Sequence, residues 1–300
     1  MFQQLYNTAN SLIVGNFFGS NALAAVSSSG SLIFLVVGFI NGIAIEAGVV
    51  IARYYGAQNK DFLHKAIHTT VVFGLTAGAA LTVIGMTLAP KIPMLMGTPS
   101  DVLPQSIAYF RTYFAGSLGF VMSNIFVGIL QSVGDSRHPL MYLIISSCIN
   151  VVLDIFFITN LGMGVGSAAL ATAIFQFTST ILCLIHLTRT KEEYRLQIQS
   201  IHFDGPMQGQ IIQNGIPAGF QNSVIAIANV FVQANINAFG KIAMAGCGSY
   251  AKGEGFAFLP VTCFTMALTT FVSQNLGTKQ YDRAKKAHGL AFSASSPSQS

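Results

Sequence analysis

Long apolar runs separated by short polar stretches set the layout of this chain. Leu23 to Ala52, Ala66 to Leu88, Ser106 to Val133, Leu140 to Ile158, Val165 to Leu187, Ile211 to Phe239 and Ala243 to Val272 are each dominated by apolar residues. Each is long enough to approach or exceed the roughly 20 residues that cross hydrocarbon. Met1 to Phe18 is shorter and more polar and reads as the second half of a helix cut at its start. His288 to Phe292 opens another helix, but residues 293–300, Ser-Ala-Ser-Ser-Pro-Ser-Gln-Ser, lack the apolar character to continue it and read as a disordered tail. The pattern predicts an all-α polytopic membrane bundle. Residues 1–187 form a six-helix first lobe with its first helix truncated, and 188–210 a charged connection on the cytoplasmic side. Residues 211–292 begin a second lobe with helices 7, 8 and the start of 9.

The two lobes are expected to be copies. Under a shift of 221 positions without a gap, Asn16, Phe18, Gly19, Ala22, Ala24, Ser28, Gly56, Asp61, Lys65 and Ala66 meet the same residue types at Asn237, Phe239, Gly240, Ala243, Ala245, Ser249, Gly277, Asp282, Lys286 and Ala287. A period this long does not suit a solenoid; it suits the duplicated halves of a secondary transporter. The second copy runs out soon after it begins, so the sequence reads as one half and the opening of the other.

Composition agrees with a bilayer protein. Hydrophobic residues make up 52% of the chain and charged ones 8%, against roughly 25% charged in soluble domains. The net charge of +5 does not signal nucleic acid, because the basic residues lie in short loops rather than on one face. Arg53, Lys60, Lys65, Arg137, Arg189, Lys191, Arg195, Lys279, Arg283, Lys285 and Lys286 fall on one side and only Lys91 and Lys241 on the other, which predicts cytoplasmic basic loops in a cell membrane. Arg111 sits near the outer end of its span and is expected to snorkel to the interface. Cys148, Cys183, Cys247 and Cys263 lie inside spans and read as small buried hydrophobes, with no disulfide. No signal peptide is read at Met1. Gly162-Met-Gly-Val-Gly166 joins two spans and is a weak phosphate cradle. No His pair shows metal-ligand spacing, and no Ser or Cys shows a base partner, so no catalytic residue, enzyme activity or cofactor is expected.

Charged residues inside spans cost free energy unless they have a use or a partner. Asp154, Glu46, Lys252 and Glu254 are the candidates. Asp154 stands about 22 Å along its helix from Pro139, in the outer half of the membrane, with Asn150, Ser147 and Ser146 continuing a polar stripe below it. Such a stripe also serves simply to glue helices together. Lys252 and Glu254 are two residues apart and point away from each other on a helix, so they do not pair directly. Glu254 lies towards the outer half, where an acid could hold an ion or a cationic substrate, or a structural partner. Glu46 is close enough to Arg53 to reach the cytoplasmic interface.

Several segments together carry a family resemblance: Gln3-Gln-Leu-Tyr-Asn-Thr-Ala-Asn10 with Ile-Val-Gly15, Gly134-Asp-Ser-Arg-His-Pro139, Asn150-Val-Val-Leu-Asp154, Glu254-Gly-Phe-Ala-Phe-Leu-Pro260 and Gln274-Asn-Leu-Gly277. In this order the chain resembles the multidrug and toxic compound extrusion (MATE) family. The resemblance implies twelve helices in two six-helix lobes and exchange of small-molecule organic cations for Na⁺ or H⁺ by a monomer when complete. It implies a first-lobe cation site at Asn150, Asp154 and Thr172 with Gln3, Tyr6 and Asn10, any Na⁺ being held at Asp154. Depth counting puts Asp154 and Thr172 both about 10 Å from the outer surface. Glu254 would match the family's second-lobe acid, with Lys252 nearby as a substrate-side candidate. Asn10 departs from the usual Asp, so this site has one carboxylate fewer, and Glu46 and Gly253 stand where small and apolar residues are expected. Two other readings stay open: a lipid-linked oligosaccharide flippase of similar architecture, for whose phosphate only Lys252 is a candidate, and a non-transporting membrane fragment.

Overall fold

The computed structural model describes residues 38–40, 42–91, 94, 103–160, 166–238 and 241–295. Among them the long elements are all helices: α1 over residues 42–56, α2 Lys60–Leu88, α3 Leu103–Ala115, α4 Ser117–Ser132, α5 Arg137–Thr159, α6 Gly166–Arg189, α7 Gly205–Ala238, α8 Lys241–Gly277 and α9 Tyr281–Ser295. By length and composition α2, α5 and most of α6 can each cross a bilayer, and α3 and α4 are long and apolar enough only when taken together, as a bent pair. The exposed surface is apolar, with Val83, Val152 and Phe231 among the most exposed side chains, while Ser146, Asn150 and Asp154 are buried. That inverted distribution is what a lipid solvent imposes, since hydrocarbon accepts apolar faces and rejects polar ones.

Helix packing in the first lobe depends on small residues. Gly74, Gly78 and Gly85 of α2 face Ile125, Leu118 and Phe114, and a Cβ at any of them would press into those side chains. Close backbone approach of this kind replaces the hydrophobic driving force that lipid does not supply between helices. The expected span from Ser106 to Val133 is not one straight helix. It bends by 48° between Ala115 and Ser117, where the Gly116 N–H donates to the Tyr113 carbonyl at 3.0 Å, tightening the backbone, and a Cβ on Gly116 would stand 2.6 Å from the Ala173 Cβ of α6. The missing side chain lets α6 press into the bend.

The repeat read from the sequence is present bond for bond at the turns that follow α1 and α8. After α1 the N–H groups of Ala57, Gln58, Asn59 and Leu63 donate to the carbonyls of Arg53, Tyr55, Tyr54 and Asn59; after α8, Thr278, Lys279, Gln280 and Ala284 donate to Gln274, Leu276, Asn275 and Gln280, each 221 positions on. Gln58 and Lys279, equivalent under that shift, both take positive φ, 53° and 59°. The two copies also meet there. A Cβ on Gly56 would overlap the Gln274 backbone and one on Gly277 the Arg53 backbone, so equivalent glycines cross with exchanged partners, as a pseudo-twofold requires. Further along the same face, a Cβ on Gly42 of α1 would stand 2.7 Å from the Gly219 Cα of α7.

Several boundaries move relative to expectation. The basic loop from Arg53 to Lys65 is mostly helix, leaving only residues 57–59 between α1 and α2, and half-buried Glu46 lies about 15 Å from the end of its helix. The connection at 188–210 is packed rather than slack: Tyr194 and Leu196 enter the core, Lys60 pairs with Glu193 at 2.9 Å and Lys65 with Asp204 at 3.4 Å. Residues 293–295, assigned to a disordered tail, continue α9, whose amphipathic start reaches back to Tyr281. Cys183 is buried as expected, but Cys148 and Cys263 are exposed, since their helices turn those positions away from the packed interior, and the Cys247 side chain lies outside the described residues.

Candidate functional site

α5 is the element on which the site is built. Its only buried residues are Pro139 at its start and Ser146, Asn150 and Asp154, spaced four apart. Four-residue spacing keeps the last three on one face, and the remainder of the helix is Ile, Leu, Val and Phe that can face lipid. Among the described residues α5 packs mainly against α6. Tyr109 of α3 lies within electrostatic reach of Asp154.

Among the described residues the polar atoms of this face do not satisfy one another. Both carboxylate oxygens of Asp154, both amide atoms of Asn150, and the hydroxyls of Ser146 and Ser147 are buried with no hydrogen-bond partner among the described residues. Native interiors pair almost all such atoms, and a group left unpaired in a low-dielectric setting costs free energy. A carboxylate and an amide carbonyl one turn apart offer oxygens to a hard cation, and the same amide and the serine hydroxyls can hydrogen-bond a protonated acid. Nearby, the Ser123 Oγ of α4 donates to the Gln176 Oε1 of α6 at 2.6 Å, both side chains buried. This closed pair shows what an interhelical bond looks like when it does serve only as glue.

Of the residues singled out from sequence, the fold brings Asn150 and Asp154 together, with half-buried Thr172 on the neighbouring α6. Gln3, Tyr6 and Asn10 lie outside the described residues. So does the Lys252 side chain, although its backbone is part of α8. Glu254 is exposed on α8, which packs against α7 and α9 among the described residues, so it is not buried with the α5 stripe. The sequence reading missed Ser106, Ser117 and Ser167, whose hydroxyls are likewise buried without a partner among the described residues. Single serines inside apolar helices were the available signal, but nothing in their spacing ties three separate helices together.

No His pair shows metal-ligand spacing in the sequence, but the fold brings two distant histidines together. His138 at the start of α5 and His186 near the end of α6 are distant in sequence, yet with Asp135 they present three ligand atoms within 4.8 Å of one another.

Known proteins share the sequence pattern and the fold. The MatE family model matches residues 1–156 and 217–296. The probable multidrug resistance protein YoeA of Bacillus subtilis is 27% identical over 293 residues, covering 95% of this chain and 63% of that protein. The FAD transporter of Shewanella oneidensis is 26% identical over 280 residues, covering 90% of this chain and 60% of its own length. Among solved structures, a MATE crystal structure in the bent conformation superimposes with a TM-score of 0.86 at 23% identity, covering 98% of this chain and 66% of that one. The chain thus spans less than two thirds of the length of the relatives it matches.

Proposed function

Because the chain belongs to the MatE family, we propose that the protein it forms is a secondary antiporter that exports organic cations or drugs across a cell membrane in exchange for Na⁺ or H⁺. Asp154 carries the coupling ion, helped by Asn150 and Thr172, and by Gln3, Tyr6 and Asn10 of the first helix. The observation that carries this reading is the buried face of α5, where the four polar atoms of a carboxylate and an amide have no partner among the described residues. An arriving Na⁺ or proton neutralises Asp154 and gives those atoms a partner, which changes the packing of α5 against α6 and so the affinity of the lobe for cargo. A single carboxylate with Asn at position 10 is a weaker cage than a pair, so coupling rests heavily on Asp154. The basic loops face the cytoplasm, and the protein works as a monomer.

YoeA is named for multidrug resistance and the Shewanella relative for FAD, an anionic cargo. Among the described residues no Lys or Arg is buried, which favours a cationic cargo here. Dye retention in cells expressing the protein tests the proposal: export of a fluorescent lipophilic cation should respond to the Na⁺ or H⁺ gradient, and Asn10→Asp should shift that ion dependence. Export of flavin nucleotide with no export of the cation would overturn the cargo class.

A further inference from the structure

We propose that Asp135, His138 and His186 form a binding site for a borderline divalent transition metal of the Zn²⁺ class, clamping the start of α5 to the end of α6. The local backbone builds the first ligand. α4 ends in a left-handed residue, Gly134 at φ 92°, with the Gly134 N–H on the Gln131 carbonyl and the Asp135 N–H on the Leu130 carbonyl. This closing motif fixes Asp135 in the short link before α5. One carboxylate oxygen, Oδ1, then accepts the His138 backbone N–H at 3.2 Å, which leaves Oδ2 directed at the imidazoles.

The second and third ligands converge on that oxygen. His138 Nδ1 is 2.7 Å and His186 Nε2 3.5 Å from Asp135 Oδ2, and the two rings lie 4.1 Å apart between centroids. Around a tetrahedral ion with bonds of 2.0–2.1 Å, ligand atoms stand about 3.3 Å from one another, so small side-chain rotations bring all three into range. His186 Nε2 is buried and makes no hydrogen bond of acceptable geometry. Its other nitrogen, Nδ1, is 3.1 Å from the Tyr142 hydroxyl. A hydrogen bond from Nδ1–H to that oxygen sets the tautomer in which Nε2 offers a lone pair to a metal, the usual arrangement behind a metal-bound histidine. Two imidazoles and one carboxylate suit Zn²⁺, Ni²⁺ or Co²⁺ and not the oxygen-seeking Mg²⁺ or Ca²⁺. The partly exposed rim at His138 gives the ion a route in and leaves a fourth coordination position for water.

The site is separate from the Asp154 stripe, being at the opposite end of α5, and does not depend on the transport reading. The test uses the protein purified without a histidine tag, stripped with chelator and dialysed against Zn²⁺ alone, with bound metal counted per chain. The expected result is one Zn²⁺ retained by the parent, lost in His138→Ala and His186→Ala, and weakened about 10–100-fold in Tyr142→Phe. Tyr142→Phe removes no ligand and leaves the helix contacts intact, so its weakening cannot be ascribed to unfolding. Equal Zn²⁺ retention in the parent, His138→Ala and Tyr142→Phe, or no retention in the parent, overturns the site.

Discussion

Two aspartates show how differently this chain treats a carboxylate. Asp154 is buried with no donor to accept from among the described residues, whereas Asp204 precedes α7 and accepts the Met207 N–H at 2.9 Å, with Lys65 beside it. The Met207 hydrogen bond holds the Asp204 carboxyl below its ordinary range against the opposing effect of desolvation, with Lys65 and His202 adding to the depression. A carboxyl whose value is depressed by folding contributes stability that is present above the unfolded value, about 4, and is lost as pH falls through the lower folded value. Asp204→Asn should therefore lower the thermal midpoint near neutral pH and bring the variant and parent together in acid; parallel curves at all pH values would contradict this. Inside the bundle, Ser123→Ala strips the donor from the Gln176 Oε1. Its cost should be about 0.6 kcal/mol and no more than about 1.7, the span seen for interhelical bonds in membranes, read from unfolding in detergent.

Elements explain both what could be read in the sequence and what could not. The helical order and the duplicated outline were legible because apolar length and a 221-residue shift are properties of the chain itself. The left-handed backbone at Gln58 and Lys279 was not legible, since neither residue type signals it; only the matching hydrogen bonds in the two copies reveal a common turn. The bend at Gly116 was hidden because an apolar run on both sides reads as one span. Asp154 and Asn150 were legible as a stripe at four-residue spacing, while the Asp135, His138 and His186 cluster required the contact between α5 and α6. The exchanged glycine contacts yield a further prediction. Gly56→Ala or Gly277→Ala forces a methyl into the opposing backbone, with an overpacking cost of about 1–3 kcal/mol. It should also disturb the bond from Gln274 Nε2 to the Ser132 carbonyl, 2.8 Å in the present packing. Each substitution should lower the thermal midpoint by a similar amount, as equivalent positions must, and a loss confined to one of them would argue against the symmetric crossing.

As a whole the described part of the molecule is inverted, apolar outside and polar where α5 faces inward, and the sequence pattern assigns most of its basic residues to one end of the bundle. If that end is cytoplasmic, single cysteines placed at Asn59 or Asp282 should resist impermeant thiol reagents in intact cells while one at Thr98 reacts. The exposed native Cys148 and Cys263 must first be replaced with the other two. Reversed labelling would invert the topology without touching the fold. The coupling role of Asp154 is tested most directly in proteoliposomes, by following uptake of a lipophilic cation while a Na⁺ or H⁺ gradient is imposed, for the parent and for Asp154→Asn. The parent should accumulate the cation in proportion to one of the two gradients, and Asp154→Asn should insert normally, still exchange the cation across the membrane, and show no accumulation with either gradient. Gradient-driven accumulation by Asp154→Asn at the parental level would contradict the account and move the coupling role to Glu254.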